Sequence, residues 1–227
     1  MIVTIDGPAG SGKSTTARGV ADRLGFVYLD TGAMYRTVAL GFLRAEAEIS
    51  AEAARRVLPS IEVGVSYEAG TMHVFLNGTN VTDQIRGTDV GTVVSQISSL
   101  RPVRERMVRE QQRIGREQED KQGGVVLDGR DTGTVVFPKA EVKIFMVADL
   151  DERARRRQEE YAENGEEVAL STVKEEIEER DRRDRNRDLA PLRQADDAII
   201  LDTTDRTVDE QIGFVVDRVK AQRETGT

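Results

Sequence analysis

Residues 2–16 read IVTIDGPAGSGKSTT, and this stretch decides the fold. Ile2 to Ile5 is a short apolar run rich in β-branched residues, the pattern of a strand. Gly7, Pro8, Ala9, Gly10, Ser11, Gly12, Lys13 and Ser14 then match G-x-x-x-x-G-K-[ST], and a helical pattern opens at Lys13. Strand, glycine-rich turn and helix are the order that phosphate binding demands. Glycines let successive backbone N–H groups face inward, the helix N-terminus adds positive potential, and Lys13 reaches toward the β and γ phosphates. Ser14 offers its hydroxyl to Mg²⁺, with Thr15 next in the same run. Average composition yields this pattern by accident in about one chain of this length in a hundred. The flanking strand and helix lower that figure further, so the stretch predicts a nucleoside triphosphate site.

Outward from it, short apolar runs alternate with longer helical patterns, the signature of βαβ units and a parallel sheet. Strands are expected at Ile2 to Ile5, Phe26 to Leu29, Val125 to Leu127, Val142 to Val147 and Ala198 to Leu201. Helices are expected at Lys13 to Leu24, Met34 to Ala45, Ala51 to Leu58, Thr88 to Ser98, Pro102 to Gln118, Asp151 to Asn164, Thr172 to Arg187 and Val208 to Gln222. Residues 61–82 break the alternation. They read as period-two strands with turns at Glu68 to Gly70 and Asn77-Gly78, a small antiparallel insertion in which His73 faces solvent. Glu117 to Gly124 reads as a polar loop, and the residues after Gln222 as a frayed end. Asp6, Asp30, Asp128 and Asp202 close four of the strands; for most of them, turn chemistry is explanation enough.

Composition excludes much. The chain of 227 residues has no Cys and one His, which removes disulfides, thiol catalysis and nearly all transition-metal chemistry. Its net charge of −8 argues against a nucleic-acid binder, since counterion release needs an excess of exposed cation. No apolar run is long enough to span a membrane, and the N-terminus lacks a secretory pattern, so the expected address is the cytoplasm. The 33 basic residues divide into 27 Arg and 6 Lys. That bias suits bidentate recognition of phosphate or carboxylate, with drift in a GC-rich genome as the plain alternative.

Three further constellations carry chemistry. Asp30-Thr31-Gly32-Ala33-Met34-Tyr35-Arg36 places a hydroxyl and a guanidinium at a strand end where a helix begins, a second anion site. Val125 to Asp131 delivers Asp128 near the metal position, to orient a metal-bound water or to cap a turn, with Arg130 and Asp131 following. In Arg180 to Arg187, helical spacing puts Arg180, Asp184 and Arg187 on one stripe, the carboxylate between two guanidiniums. Such a helical hairpin makes a lid that closes positive charge over a transferring phosphoryl group and excludes water. Arg153 to Arg157 reads in part as a solvated helix face. The triplets at 30–32 and 131–133 both spell D-T-G, but an aspartic-protease pair belongs to an almost wholly β fold. No [NT]-K-x-D guanine signature accompanies any lysine, which argues against a GTPase switch.

Taken with the phosphate loop, the segments LDTGAMYR (29–36), DGRDTGTVVFP (128–138) and RDRRDRNR (180–187) followed by APL (190–192) resemble the bacterial cytidylate kinases. The resemblance covers essentially the whole chain. It implies an α/β P-loop kinase fold: a five-stranded parallel sheet flanked by helices, an antiparallel β insertion in the acceptor-binding lobe, and a helical lid. One kinase domain over 1–227 is implied, with its core in about 1–30, 100–150 and 190–227, its acceptor lobe in about 31–99 and its lid in about 151–189. The implied reaction moves the γ-phosphoryl group of ATP to CMP or dCMP with Mg²⁺, in a monomer that needs neither nucleic acid nor membrane. Carried over residue by residue, the resemblance implies that Thr31, Arg36 and Arg130 hold the acceptor phosphate, with Gly32 and Tyr35 shaping that pocket. Ser95, Arg104 and Asp131 read the cytosine edge, Arg180 and Asp184 contact the acceptor sugar, and Arg187 reaches the transferring phosphate beside Lys13 and Arg130. A carboxylate and a donor suit cytosine, which offers an amine and an acceptor ring nitrogen. A kinase for AMP, UMP or shikimate and a nucleotide-gated switch are the competing readings.

Overall fold

Apolar runs too short for stable helices form the inner strands of a parallel sheet in the computed structural model, which describes residues 1–68, 70–163 and 165–225. β1 (Ile2–Asp6) is buried along its length and leads through the glycine-rich turn into α1 (Lys13–Leu24). β2 (Val27–Asp30) passes directly into α2 (Thr31–Arg44), and α3 (Ala51–Val57) follows. After β3 (Val63–Glu68), β4 (Thr71–Leu76) and β5 (Thr79–Asn80) come α4 (Thr88–Ser99), α5 (Arg101–Gln122), β6 (Val125–Gly129) and β7 (Val142–Val147). α6 (Leu150–Glu163), α7 (Leu170–Arg185), β8 (Ile199–Asp202) and α8 (Val208–Thr225) complete the chain.

The five-stranded sheet runs β2-β6-β1-β7-β8 with every pair parallel. Alternation sends Val3, Ile5, Val126 and Ile144 to the face covered by α1 and α8. Leu29, Val125 and Leu127 face the opposite way, into a core with Met34, Val38, Phe42, Val103 and Met107 from α2 and α5. Because the strands are parallel, their carboxyl ends lie along one edge, where open α/β sheets bind ligands. The phosphate loop, the start of α2 and the turn after β6 all meet there. No helix among the described residues is long and apolar enough to cross a membrane.

β3, β4 and β5 form the expected antiparallel insertion. Its second turn carries left-handed backbone at Asn77 (φ 52°) and Gly78 (φ 77°), as a two-residue hairpin turn requires. Ala69, in the first expected turn, lies outside the described residues. His73 is half-buried opposite Ser66, where a solvent-facing position was expected. The Met72 sulfur accepts the Asp30 N–H at 3.2 Å and so ties the insertion to the start of α2.

The sequence-based boundaries need correction at several ends. α2 begins at Thr31, three residues before the expected Met34, because Asp30 caps it by accepting the Ala33 N–H at 2.8 Å. The expected loop Glu117 to Gly124 is instead the last turns of α5, laced by Arg113–Glu117 and Lys121–Glu117 pairs and stopped by Gly123 in left-handed backbone. Its polarity is that of a solvated helix face. α7 ends at Arg185, so Arg187 lies outside the helix expected to carry it. α8 continues to Thr225, past the expected fraying point at Gln222. Asn164, the expected end of α6, is outside the described residues.

Candidate active site

The glycine-rich turn is built by close backbone approach. A Cβ on Gly7 would lie 2.2 Å from the Met146 carbonyl oxygen, so β7 leaves no room for a side chain there. Within the loop, Ser11 Oγ donates to the Pro8 carbonyl at 3.1 Å, and Lys13 Nζ donates to the same carbonyl at 2.6 Å. Lys13 is buried, and that burial, with the nearby Arg130 guanidinium, pushes its ammonium well below the usual lysine range. Thr15 faces solvent on the first turn of α1.

Beside Lys13, Ser14 Oγ donates to Asp128 Oδ2 at 2.7 Å, and Tyr28 OH donates to Oδ1 at 2.9 Å. Burial and the Asp128 charge push the Tyr28 phenol far up, which keeps it protonated and donating. Asp128 is therefore fixed at the end of β6 with one oxygen against the Ser14 hydroxyl. A hydroxyl and a carboxylate are hard oxygen donors, and Mg²⁺ takes only one or two protein ligands, drawing the rest from phosphates and water. The pair fits such an ion.

Across the sheet edge, α2 presents Thr31, Gly32, Tyr35 and Arg36 from its first two turns. Thr31 Oγ1 donates to the Asp128 carbonyl at 2.6 Å, which joins the two anion-site candidates through one residue. Arg36 Nη1 donates to the Ile85 carbonyl at 3.3 Å; burial lowers its pKa, with Asp30 opposing and the neighbouring Arg157 reinforcing. Arg104 of α5 and Asp131 form a buried ion pair, their side chains 4% and 7% exposed. Arg104 also donates to the Ser98 carbonyl at 3.3 Å and lies 5.5 Å over the Tyr35 ring. Around this pocket, buried Ser95 Oγ and Arg187 Nε have no hydrogen-bond partner among the described residues, and the Tyr35 hydroxyl lies beside the Gln111 side chain.

The stripe expected in α7 is rearranged. Asp184 does not sit between Arg180 and Arg187; it is shared by Arg130, whose Nε donates to Oδ2 at 2.8 Å, and Arg187, which donates to Oδ1. The helix ends before Arg187, so that residue bends back onto Asp184 while Arg130 reaches it from the turn after β6. Burial pushes the Asp184 carboxyl up, but Arg130, Arg187 and Arg180 together hold it below the usual range. Arg180 is left without such a partner. Burial and Arg130 lower its pKa to about 10.

Of the strand-end carboxylates, Asp6 accepts the Thr132 and Gly133 N–H groups at 2.9 and 2.7 Å, and Asp202 accepts the Thr204 N–H at 3.0 Å. Both are turn fasteners, whereas Asp30 caps α2. Sequence reasoning missed Arg153 and Asp181, which are buried and grip the phosphate loop, and Arg157, whose charge reaches Arg36 and Arg180. It also missed Gln111, buried on the same face of α5 as Arg104. The arginines stood in a charge run that reads as solvent-facing, and Gln111 had no motif around it.

Comparison with known proteins bears on the chain as a whole. The cytidylate kinase family model matches residues 3–221. A cytidylate kinase of Salinibacter ruber is 68% identical over the full length of both chains. One of Lactococcus lactis is 46% identical and one of Chlorobaculum tepidum 47%, each match taking in 96% of this chain and 96% and 92% of the relatives. Among solved structures, proteins of Eubacterium ventriosum (14% identical, TM-score 0.51) and Thermus thermophilus (21% identical, TM-score 0.50) share the fold over 97% and 98% of this chain, and cover 98% and 97% of their own. A family match over residues 3–221 and relatives of this similarity leave one assignment: the chain belongs to the cytidylate kinase family.

Proposed function

We propose that this protein transfers the γ-phosphoryl group of ATP to CMP or dCMP. The observation that carries the reading is the convergence of Lys13, Arg36, Arg180 and Arg187 around Arg130, of which five only Arg130 and Arg187 are ion-paired among the described residues, both to Asp184. Burial and neighbouring positive charge lower the pKa of Lys13, Arg36, Arg180 and Arg187 together. Such a cluster is stabilised by polyanions, and two phosphorylated ligands meeting end to end supply them. Phosphoryl transfer needs this: its transition state carries charge on the equatorial oxygens, so placed cations do most of the catalysis.

In this reading the loop Gly7 to Thr15 holds the donor phosphates through the N–H groups of Gly10 to Thr15 and the Lys13 ammonium, Lys13 exchanging the Pro8 carbonyl for a phosphate oxygen. Ser14, with Asp128 through water, holds Mg²⁺, which when bound neutralises charge on the donor phosphates. Thr31 and Arg36 fix the acceptor phosphate, and Arg130 and Arg187 act as catalytic groups where it meets the transferring group. Asp131 and Arg104 read the cytosine edge with Ser95, while Gly32 and Tyr35 shape the pocket. Arg180 and Asp184 face the acceptor sugar. Residues 31–99 serve as the acceptor lobe and 151–189 as the lid of a cytoplasmic monomer.

A coupled assay of ADP release against CMP, dCMP, UMP, AMP and shikimate tests the proposal. Strong stimulation by CMP and dCMP is expected. Stimulation by AMP or shikimate instead overturns the acceptor, and none by any acceptor favours a nucleotide-gated switch.

A further inference from the structure

A buried ion pair outside the reacting groups holds the phosphate loop from behind. Arg153 lies in the first turn of α6 and Asp181 in the second half of α7; their side chains are 8% and 4% exposed and 2.6 Å apart. The pair closes on both polar groups of one loop residue. Asp181 Oδ1 accepts the Ala9 N–H at 3.2 Å, and Arg153 Nη1, which is bound to Asp181 Oδ2, also donates to the Ala9 carbonyl at 3.1 Å. Arg153 Nε donates to the Ala148 carbonyl at 3.0 Å and is thereby aimed from the end of β7. The backbones meet as well: a Cβ on Gly10 would lie 2.9 Å from the Arg153 carbonyl oxygen.

Stability alone does not explain this choice of residues. An apolar pair of similar volume commonly replaces a buried ion pair without loss of stability. An apolar pair cannot hold an N–H and a carbonyl at once, and Ala9 has no strand or helix partner for either. The position is also particular. Ala9 follows Pro8, whose carbonyl holds Lys13 Nζ, and Asp181 follows Arg180, whose charge is felt at Lys13. One contact thus registers the loop arch and the arginine-bearing helix against each other.

We propose that Arg153 and Asp181 are positioning residues that lock the phosphate loop to the α6–α7 hairpin and so set the loop's grip on the donor phosphates. The inference rests on the loop being the donor site. The full chain carrying Arg153→Met and Asp181→Leu together tests it, since packing is kept while the grip on Ala9 is lost. Thermal midpoint, steady-state kinetics and amide exchange of residues 7–14 are read on the same samples. A midpoint near that of the wild type is expected, with the KM for ATP raised about tenfold or more, kcat lowered, the KM for CMP within about threefold, and exchange protection at Ala9 lost. Asp181→Asn, which keeps an acceptor toward the Ala9 N–H, should fall between the two. Wild-type KM for ATP and kcat in a folded double variant overturn the proposal, as do equal rises in both KM values. Should the double variant not fold, wild-type kinetics in Asp181→Asn with Ala9 protection lost overturn it equally. Wild-type protein that fails to bind ATP by titration calorimetry overturns the donor-site reading itself, and is measured first.

Discussion

Asp131→Ala tests whether the buried pair in the acceptor pocket reads a base. In the native chain the Arg104 guanidinium is almost fully buried, and its partners are Asp131, the Ser98 carbonyl at 3.3 Å and the Tyr35 ring at 5.5 Å. Removing the carboxylate leaves a buried cation with one long hydrogen bond and one aromatic face. Breaking a buried pair in this way costs about 3–5 kcal/mol, and a guanidinium that keeps its ring and carbonyl contacts puts this variant at the low end. A net loss near 3 kcal/mol is expected, or about 6–12 °C in thermal midpoint for a chain of this size. Kinetics should move separately. A charge-assisted acceptor for the cytosine amine is worth about 1–3 kcal/mol of discrimination, so the CMP-over-UMP preference in kcat/KM should fall about 5- to 150-fold. The KM for ATP should stay within about twofold, because Asp131 touches nothing in the phosphate loop. The assay is coupled ADP release with each acceptor, run well below the variant's melting range. An unchanged CMP-over-UMP ratio removes Asp131 from base reading and leaves it a structural partner of Arg104.

Three further expectations follow from named contacts. Lys13→Ala should lower kcat about 10²- to 10³-fold with smaller effects on KM, since it deletes charge that acts on the transferring group in a water-excluded site; a loss of less than about threefold in single-turnover rate would refute that role. Asp6 is pushed up to about 6 from 3.8 by burial, with Thr132 and Gly133 opposing, so the folded chain binds its proton more tightly than the unfolded one. Its contribution is therefore greatest below pH 3.8 and is lost as pH rises through about 6, by up to about 3 kcal/mol, and Asp6→Asn should look progressively less destabilised across that window in chemical denaturation. A constant difference between variant and wild type from pH 4 to 7 would contradict this. Asp120→Pro places proline in an exposed part of α5 where a loop was expected; a loss of about 3 kcal/mol supports the helix, and neutrality supports the loop.

How much of this was legible in the residues depends on range. The phosphate loop could be read because its chemistry is contiguous: Gly7 to Ser14 form the turn, the donor set and the helix start within one stretch. The five strands were legible for a similar reason, since buried parallel strands are nearly continuous apolar runs. Ends failed where one residue decides them. Asp30 was read as a strand terminator, yet it is the cap that starts α2 at Thr31, and the polar run 117–122 gave no periodic sign that it stays helical. Contacts between distant segments were less visible still. Nothing in Arg153 says that it will be buried against Ala9, because a lone arginine among Arg155, Arg156 and Arg157 has the same sequence signature whether it faces water or a loop.

The acidity of the chain and the basicity of its site are compatible because they act at different distances. At physiological ionic strength charges beyond about 8 Å are largely screened, so the net −8 hardly reaches a ligand already inside the cleft. What the ligand meets is decided by which arginines are already satisfied. Asp131 and Asp184 outweigh the burial cost for Arg104 and Arg130, raising their pKa, and so hold those two guanidiniums in place. Arg36, Arg180 and Lys13 have no ion pair of their own in the site and are held by burial against neighbouring positive charge. In the proposed reading the first group is held in place by its carboxylates, and the second gains from the phosphates that bind there. On the same reading, that division lets Asp184 lie near an anionic substrate without opposing it. It already pairs with Arg130 and Arg187, which in that reading leaves the remaining cations to the nucleotides.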